Sequence, residues 1–208
     1  LKIVIAQSFG KGEGFSPGKS NEAIAECIRA SIDQQESQPE IYCLQAEVHD
    51  ALQKILPECD DRFLSIGSAD KRITTKKVLD EVAKKIAELK RDSDRLSIHL
   101  FGHPDHLPRV MLLARKVFEG ANIVSANCED VPYDSKSIQW WTRNKESFIF
   151  FELLSHIHHL LHGYFRREDT PIVLSQIRKH LWNTMKNSPR ANIDNIQNLR
   201  RHGFNDGK

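Results

Sequence analysis

Between Gly102 and Arg109 the chain reads GHPDHLPR, which sets two histidines, a carboxylate and a guanidinium close together where an apolar run gives way to a helical pattern. His106 and Arg109 are three residues apart, so at the start of a helix their side chains share a face. A histidine that can donate a proton and an arginine that forks over two oxygens suit a phosphate or carboxylate. Arg109 is therefore expected to clamp an anion while contributing little to stability, with His106 as proton donor or acceptor and His103 beside them. Two other readings stay open: His103, Asp105 and His106 as metal ligands, or Asp105 as a helix cap with two solvated histidines.

Two more stretches carry chemistry-bearing residues. QSFGKGEGFSPGKSN places Gly10, Gly12 and Gly14 after a strand-like run and before a helix. Glycines there let backbone N–H groups approach an anion, and a helix N-terminus adds a favourable dipole. The pattern is neither GxGxxG nor GxxxxGK[ST], and a plain connecting loop explains it equally well. SHIHHLLHG sets His156 and His159 three apart and His158 and His162 four apart, a spacing that can chelate zinc on a helix. No Glu completes an HExxH pattern, and an apolar face of Phe148, Phe151, Leu154 and Leu161 accounts for the segment. No metal is expected there. The charges of TRNKESF and YFRRED read as a solvated helix face.

The elements that must position these groups alternate. LKIVIAQ, EIYCLQ, RFLSIG, RLSIHLF and ANIVSAN are strand-length apolar runs. Between them lie helical patterns, such as Ala23, Ile24, Cys27, Ile28 and Ile32 on one face. Thr74 or Thr75 is placed to cap the charged helix that follows RFLSIG. Alternation of this kind implies parallel pairing through right-handed crossovers, with Ile3–Ala6, Ile41–Leu44 and Ser97–Phe101 as neighbours or near-neighbours in one sheet. The expected fold is a Rossmann-like three-layer α/β/α sandwich with a mostly parallel sheet and additional C-terminal helices. Ligands of such sheets sit beyond the carboxyl ends of the strands. After Asn127 the pattern turns helical: one long or broken helix through Ser137–Phe165, a second through Thr170–Asn187 with Pro171 in its first turn, then a polar tail. Residues 1–165 form the α/β domain, and 166–208 pack on it or trail from it.

Composition narrows the partners. In 208 residues, 39% are hydrophobic and 28% charged, the balance of an ordinary globular chain, and a net charge of +2 gives no case for nucleic acid. No run reaches the roughly 20 apolar residues of a membrane span, and no signal peptide is evident. Cys27, Cys43, Cys59 and Cys128 have no CxxC spacing and are too sparse for a disulfide framework. Four free thiols and a reducing, cytoplasmic compartment are expected, with Cys43 buried in a strand; membrane attachment is expected only if a segment upstream of Leu1 supplies an anchor.

HLPR after a strand, with ARK on the following helix, resembles the His-x-x-Arg signature of the DUF218 family of YdcF-like and SanA-like proteins. Other pieces fall in that family's order: IVIAQSFGKGEGFSPGKSNEAIAECI, LQAEVHDAL with an acidic residue, ITTKKVLDEVAKKI with a Thr at its helix start, and the closing helix WWTRNKESFIFFELLSHIHHLLHGYF with a Glu. The likeness covers about residues 1–165. The chain departs from the family at Leu44-Gln45, where Ser-Gly is usual, and at Thr75-Lys-Lys-Val, where Thr-x-Glu-Asn is usual. The resemblance implies a polar pocket formed by Gly10 to Gly14, Glu47, Thr75, His106 and Arg109. Its ligand would be small and phosphorylated or nucleotide-like, from envelope-polysaccharide or nucleotide-related metabolism, with Glu47 as a partner acid. It implies no particular cofactor and no particular reaction. A non-catalytic module sensing a metabolite is the alternative, and a metal-dependent hydrolase a third.

Overall fold

The computed structural model describes residues 1–14, 16–34, 39–58, 60–68, 73–89, 95–126 and 128–187. Five strands form one all-parallel sheet: β1 (Lys2–Ala6), β2 (Ile41–Gln45), β3 (Phe63–Ile66), β4 (Ser97–Phe101) and β5 (Asn122–Ser125). Their order is β3-β2-β1-β4-β5, so the expected neighbours flank β1 directly, with Ile3 opposite Ile41 and Ile98. Helices α1 (Lys19–Gln34), α2 (Ala46–Ile55), α3 (Thr75–Leu89) and α4 (Leu107–Val117) make the crossovers.

The period-two alternation of a strand explains the two cores. Ile3, Ile5, Cys43, Ile98 and Leu100 point to one face, where Val78, Leu79 and Val82 of α3 and Val110 and Leu113 of α4 cover them. Val4, Ala6, Tyr42, Leu44 and Phe101 point to the other, under Ile24 and Ile28 of α1 and Val48 and Leu52 of α2. Strands buried on both faces read as continuous apolar runs, which is why they were legible. The edge strand β5 is largely exposed.

The segment after β5 is broken, as one of the two sequence readings had it. Trp140–Thr142 is a short 3-10 turn, and α5 (Lys145–Leu161) starts afresh because the Asn144 side chain accepts the Ser147 N–H at 2.8 Å. A second 3-10 turn, Arg167–Asp169, leads into α6 (Thr170–Asn187), whose Val173 is fully buried in the α3–α4 core. The polar tail lies outside the described residues.

Three expectations are corrected. The buried side of α5 is Phe148, Glu152, Leu153, His156 and His159, while Leu154 and Leu161 are 49% and 78% exposed. A helix laid across polar strand ends turns its hydrogen-bonding side inward. Nor are the TRNKESF and YFRRED charges simply solvated: Arg143 Nε–H donates to Ser137 O at 2.7 Å, and Asp169 is buried 3.9 Å from Arg115. Finally, Cys27 and Cys128 form a disulfide, with Cα atoms 5.8 Å apart across a separation of 101 residues. Folding brings α1 beside the segment after β5, a proximity that local spacing does not encode. Cys43 is free and buried as expected, and burial pushes its thiol pKa up to about 12. Cys59 lies outside the described residues. No helix among the described residues is long and apolar enough to cross a membrane.

Candidate functional site

Sequence order runs outward from β1 through β2 to β3, then returns to β4 on the other side of β1. The carboxyl ends of β1 and β4 thus diverge into different helices and leave a crevice. A cavity of about 530 Å³ opens there, bounded by Ser8–Gly10, Gln45, the start of α3, His106 and Arg109 of α4, and one side of α5.

At its base lies a buried ionic group. Arg109 Nε–H and Nη2–H donate to Glu152 Oε2 and Oε1 at 2.7 and 3.0 Å, a two-pronged pairing. His106 Nδ1 is 2.8 Å from Glu152 Oε1. A carboxylate only accepts, so the His106 proton sits on Nδ1 and Nε2 carries the lone pair. The 3.2 Å approach of Arg109 Nη2 to that Nδ1 is then a meeting of two donors, not a bond. Nε2 faces Thr75 Oγ1 at 3.4 Å. Burial holds the His106 pKa below its ordinary value, with Arg109 adding to the effect and Glu152 opposing it. Burial alone would raise the Glu152 pKa, but Arg109 and His106 outweigh it and hold the carboxyl well below its usual range.

The residues expected from sequence separate here. Gly10, Thr75, His106 and Arg109 line the cavity; Gly12, Gly14, His103 and Glu47 do not. The glycine loop is closed upon the protein. Phe9 N–H donates to Asn21 Oδ1 at 2.8 Å, Lys11 N–H to Ser137 Oγ at 3.2 Å, and Gly12 N–H to Ser16 O at 3.1 Å. Asn21 also holds Gly10 O and Pro17 O through Nδ2, and Asp134 Oδ2 accepts from Lys19 N–H at the start of α1. An anion cradle needs those N–H groups turned outward, and these are engaged. Gly14 has φ +63° and nothing within 4 Å of a notional Cβ: it is a turn glycine at the surface. At Gly10 the need is different, because φ is +77° and a Cβ would meet Thr142 Oγ1 at 2.6 Å.

Glu47 is buried in the first turn of α2 and does not itself line the cavity, although its side chain meets Ser8, which does. Its Oε2 has no partner among the described residues and burial raises its pKa. The acid beside His106 is Glu152, and Gln45 is the β2-end residue that reaches the cleft, accepting Ser8 N–H at 3.1 Å. His103 stacks on Phe9 at 3.8 Å between centroids and accepts Asp105 N–H through Nδ1 at 3.2 Å. Burial lowers its pKa to about 4. Asp105 accepts the Tyr133 hydroxyl at 2.6 Å. His103, Asp105 and His106 therefore face three different partners, and the metal reading of that trio loses its geometry. Among the described residues no group of three or more His, Cys, Asp or Glu is placed to share a metal ion.

The histidines of α5 divide between core and cleft. His156 Nδ1 is 2.8 Å from the Glu152 backbone oxygen and Nε2 is 2.7 Å from Gln176 Oε1. His158 and His159 line the cavity, and burial pushes the His159 pKa down to about 4. The lining also includes an aromatic pair, Trp141 stacked on Phe151 at 4.9 Å between centroids. Glu152 is the functional residue that residue spacing did not single out. One signal was present: a lone carboxylate inside the apolar run Phe148–Leu154, where an unpaired charge is costly. The stability-neutral role expected of Arg109 is also corrected, since it neutralises a carboxylate that is 1% exposed.

No family model matches the chain, and no curated protein or solved structure matches it.

Proposed function

We propose that this chain binds a small anionic ligand, phosphorylated or nucleotide-like as the DUF218 resemblance implies, at the carboxyl ends of its strands. It acts on that ligand with His106 as the proton-transferring group, in envelope-polysaccharide or nucleotide-related metabolism. The observation that carries this reading is the geometry of His106, whose Nδ1 is held at 2.8 Å by a buried carboxylate and whose Nε2 is 3.4 Å from the cavity residue Thr75. The attraction for an anion comes from the N-terminus of α3, where Thr74, Thr75 and the exposed Lys77 line the cavity; Lys76 also lines it but is paired with Asp80 at 2.6 Å. The pair of Trp141 and Phe151 suits a planar or sugar-like portion of the same ligand. The Cys27–Cys128 disulfide favours an oxidising compartment over the reducing one that cysteine spacing suggested.

A second reading, a non-catalytic sensing module, is favoured by one observation: the Arg109 Nε and Nη2 groups are held by Glu152 rather than turned to the cleft. Thermal-shift measurements with inorganic phosphate, AMP and glucose 1-phosphate, followed by calorimetry on Lys77→Glu, test the binding claim. Lys77 is exposed, so its reversal should leave the melting temperature unchanged and weaken anion binding several-fold. No shift with any of the three probes removes the proposal. Binding without turnover in a broad substrate screen favours the sensing module.

A further inference from the structure

We propose that Thr75 is a nucleophile, activated by His106 and oriented through Glu152, with which the cleft hydrolyses a carboxylic ester of an anionic molecule; this rests on the anion-binding reading above. Three side chains from three elements meet in one line: Thr75 at the start of α3, His106 at the start of α4 and Glu152 within α5. Thr75 Oγ1 is 3.4 Å from His106 Nε2, and His106 Nδ1 is 2.8 Å from Glu152 Oε1. The tautomer that Glu152 imposes leaves Nε2 as the acceptor, so the Thr75 hydroxyl donates to it. Nucleophile, base and orienting carboxylate stand in the order that acyl transfer requires. A separation of 3.4 Å is the looser contact usual before a substrate is bound.

Position supplies the other requirement. Thr75 is the first residue of α3, and N–H groups in a first helical turn have no intrahelical acceptor. The oxyanion that forms on a carbonyl carbon bonded to Oγ1 therefore develops at the positive end of the α3 dipole, among N–H groups that have no intrahelical acceptor. Thr75 is half-buried and lines the cavity, so a substrate reaches it.

The cationic lining sets the substrate class. Lys77 is exposed beside Thr75 at the start of α3 and lines the same cavity, so an ester that carries a negative group is drawn to the cleft in preference to a neutral one.

The steps balance without a further reactant. Oγ1 bonds to the carbonyl carbon as its proton passes to His106 Nε2. The bond from that carbon to the alcohol oxygen breaks, and the alcohol leaves with the proton. Water then gives a proton to Nε2 while its oxygen bonds to the acyl carbon; the bond to Oγ1 breaks, and Oγ1 recovers the proton. Ester and water become acid and alcohol. Glu152 is a positioning residue throughout, since its carboxylate is held by His106 and Arg109, with His156 Nδ1 at 3.5 Å, and it does not line the cavity.

The test treats the full chain with a biotinylated fluorophosphonate and with p-nitrophenyl acetate, and locates adducts by peptide mass spectrometry. The expected adduct is on Thr75. Thr75→Val should lose it while keeping the melting temperature, and Thr75→Ser, which retains the hydroxyl, should keep both the adduct and the phosphate-induced thermal shift. His106→Gln should slow labelling by about 10²–10⁴-fold. Glu152→Gln should move the acid limb of the labelling rate to lower pH, because the remaining Arg109 charge depresses the His106 pKa further. No adduct on Thr75, or equal labelling of Thr75→Val, in a chain that still shows the phosphate shift overturns the nucleophile and leaves the binding function standing. Labelling of Thr75 with no shift from any anion overturns the binding function and the anionic substrate class instead.

Discussion

Replacing Arg109 by methionine isolates the energetics at the base of the cleft. Arg109 is buried, and its two hydrogen bonds neutralise a Glu152 carboxylate that is 1% exposed. Methionine fills much of the aliphatic volume but leaves the carboxylate without its permanent cation, facing only the imidazoles of His106 and His156. Breaking a buried pair from one side costs about 3–5 kcal/mol, because the remaining charge is uncompensated. For a chain of this length that lowers the melting temperature by roughly 6–20 °C. The double variant Arg109→Met, Glu152→Met removes both charges. It should return to within about 1–3 kcal/mol of the native chain, the residue being the His106 Nδ1–H left without an acceptor. Urea unfolding followed by far-UV circular dichroism, with the disulfide intact, measures all three. The single-variant cost should also shrink between pH 7 and pH 5, since an unpaired buried carboxylate escapes its penalty by taking up a proton. A cost below about 1 kcal/mol for Arg109→Met at pH 7 would refute the buried pair and restore a solvent-facing arginine.

Two other outcomes follow from the same structure. Thiol titration of the denatured, unreduced chain should find at most two reactive cysteines rather than four, because Cys27 and Cys128 are joined. Reducing that bond, which spans 101 residues, should cost about 4–5 kcal/mol in a urea melt; four thiols before reduction would remove it. Stability should also fall as pH drops from about 6.5 towards 4. His103 and His159 have folded pKa values lowered to about 4, so in that window the unfolded chain binds more protons than the folded one. The two together set a slope of at most about 2.7 kcal/mol per pH unit. Glu152, lowered in the folded state, contributes stability that is present above the ordinary carboxylate pKa and lost below it. A flat profile between pH 6.5 and 4.5 contradicts the burial of both rings.

Legibility tracked how local each physical signal is. Strands buried on both faces must be continuous apolar runs, and a crossover helix must carry one apolar face, so β1, β2, β4 and their partners could be read from patterning alone. The three-residue step from His106 to Arg109 is likewise local, and it did place both residues in one cleft. The glycine loop illustrates the limit. Its composition suits an anion cradle, but Asn21, Ser137 and Asp134 engage its neighbours' backbone, and two of these come from more than 100 residues away.

What the amino-acid order determined by itself, then, is the alternation of elements, the parallel sheet they must form, and the presence of a histidine and an arginine at one strand end. Tertiary structure decided what those two residues face. Only packing of α5 across the strand ends brings Glu152, 43 residues beyond Arg109, to within 2.7 Å of it. The same packing turns polar residues of α5 inward and leaves Leu154 and Leu161 exposed. It also brings Cys27 to Cys128. Periodicity reports which residues of a segment share a face, whereas the partner of that face is chosen by how distant segments satisfy one another's buried charges and hydrogen bonds.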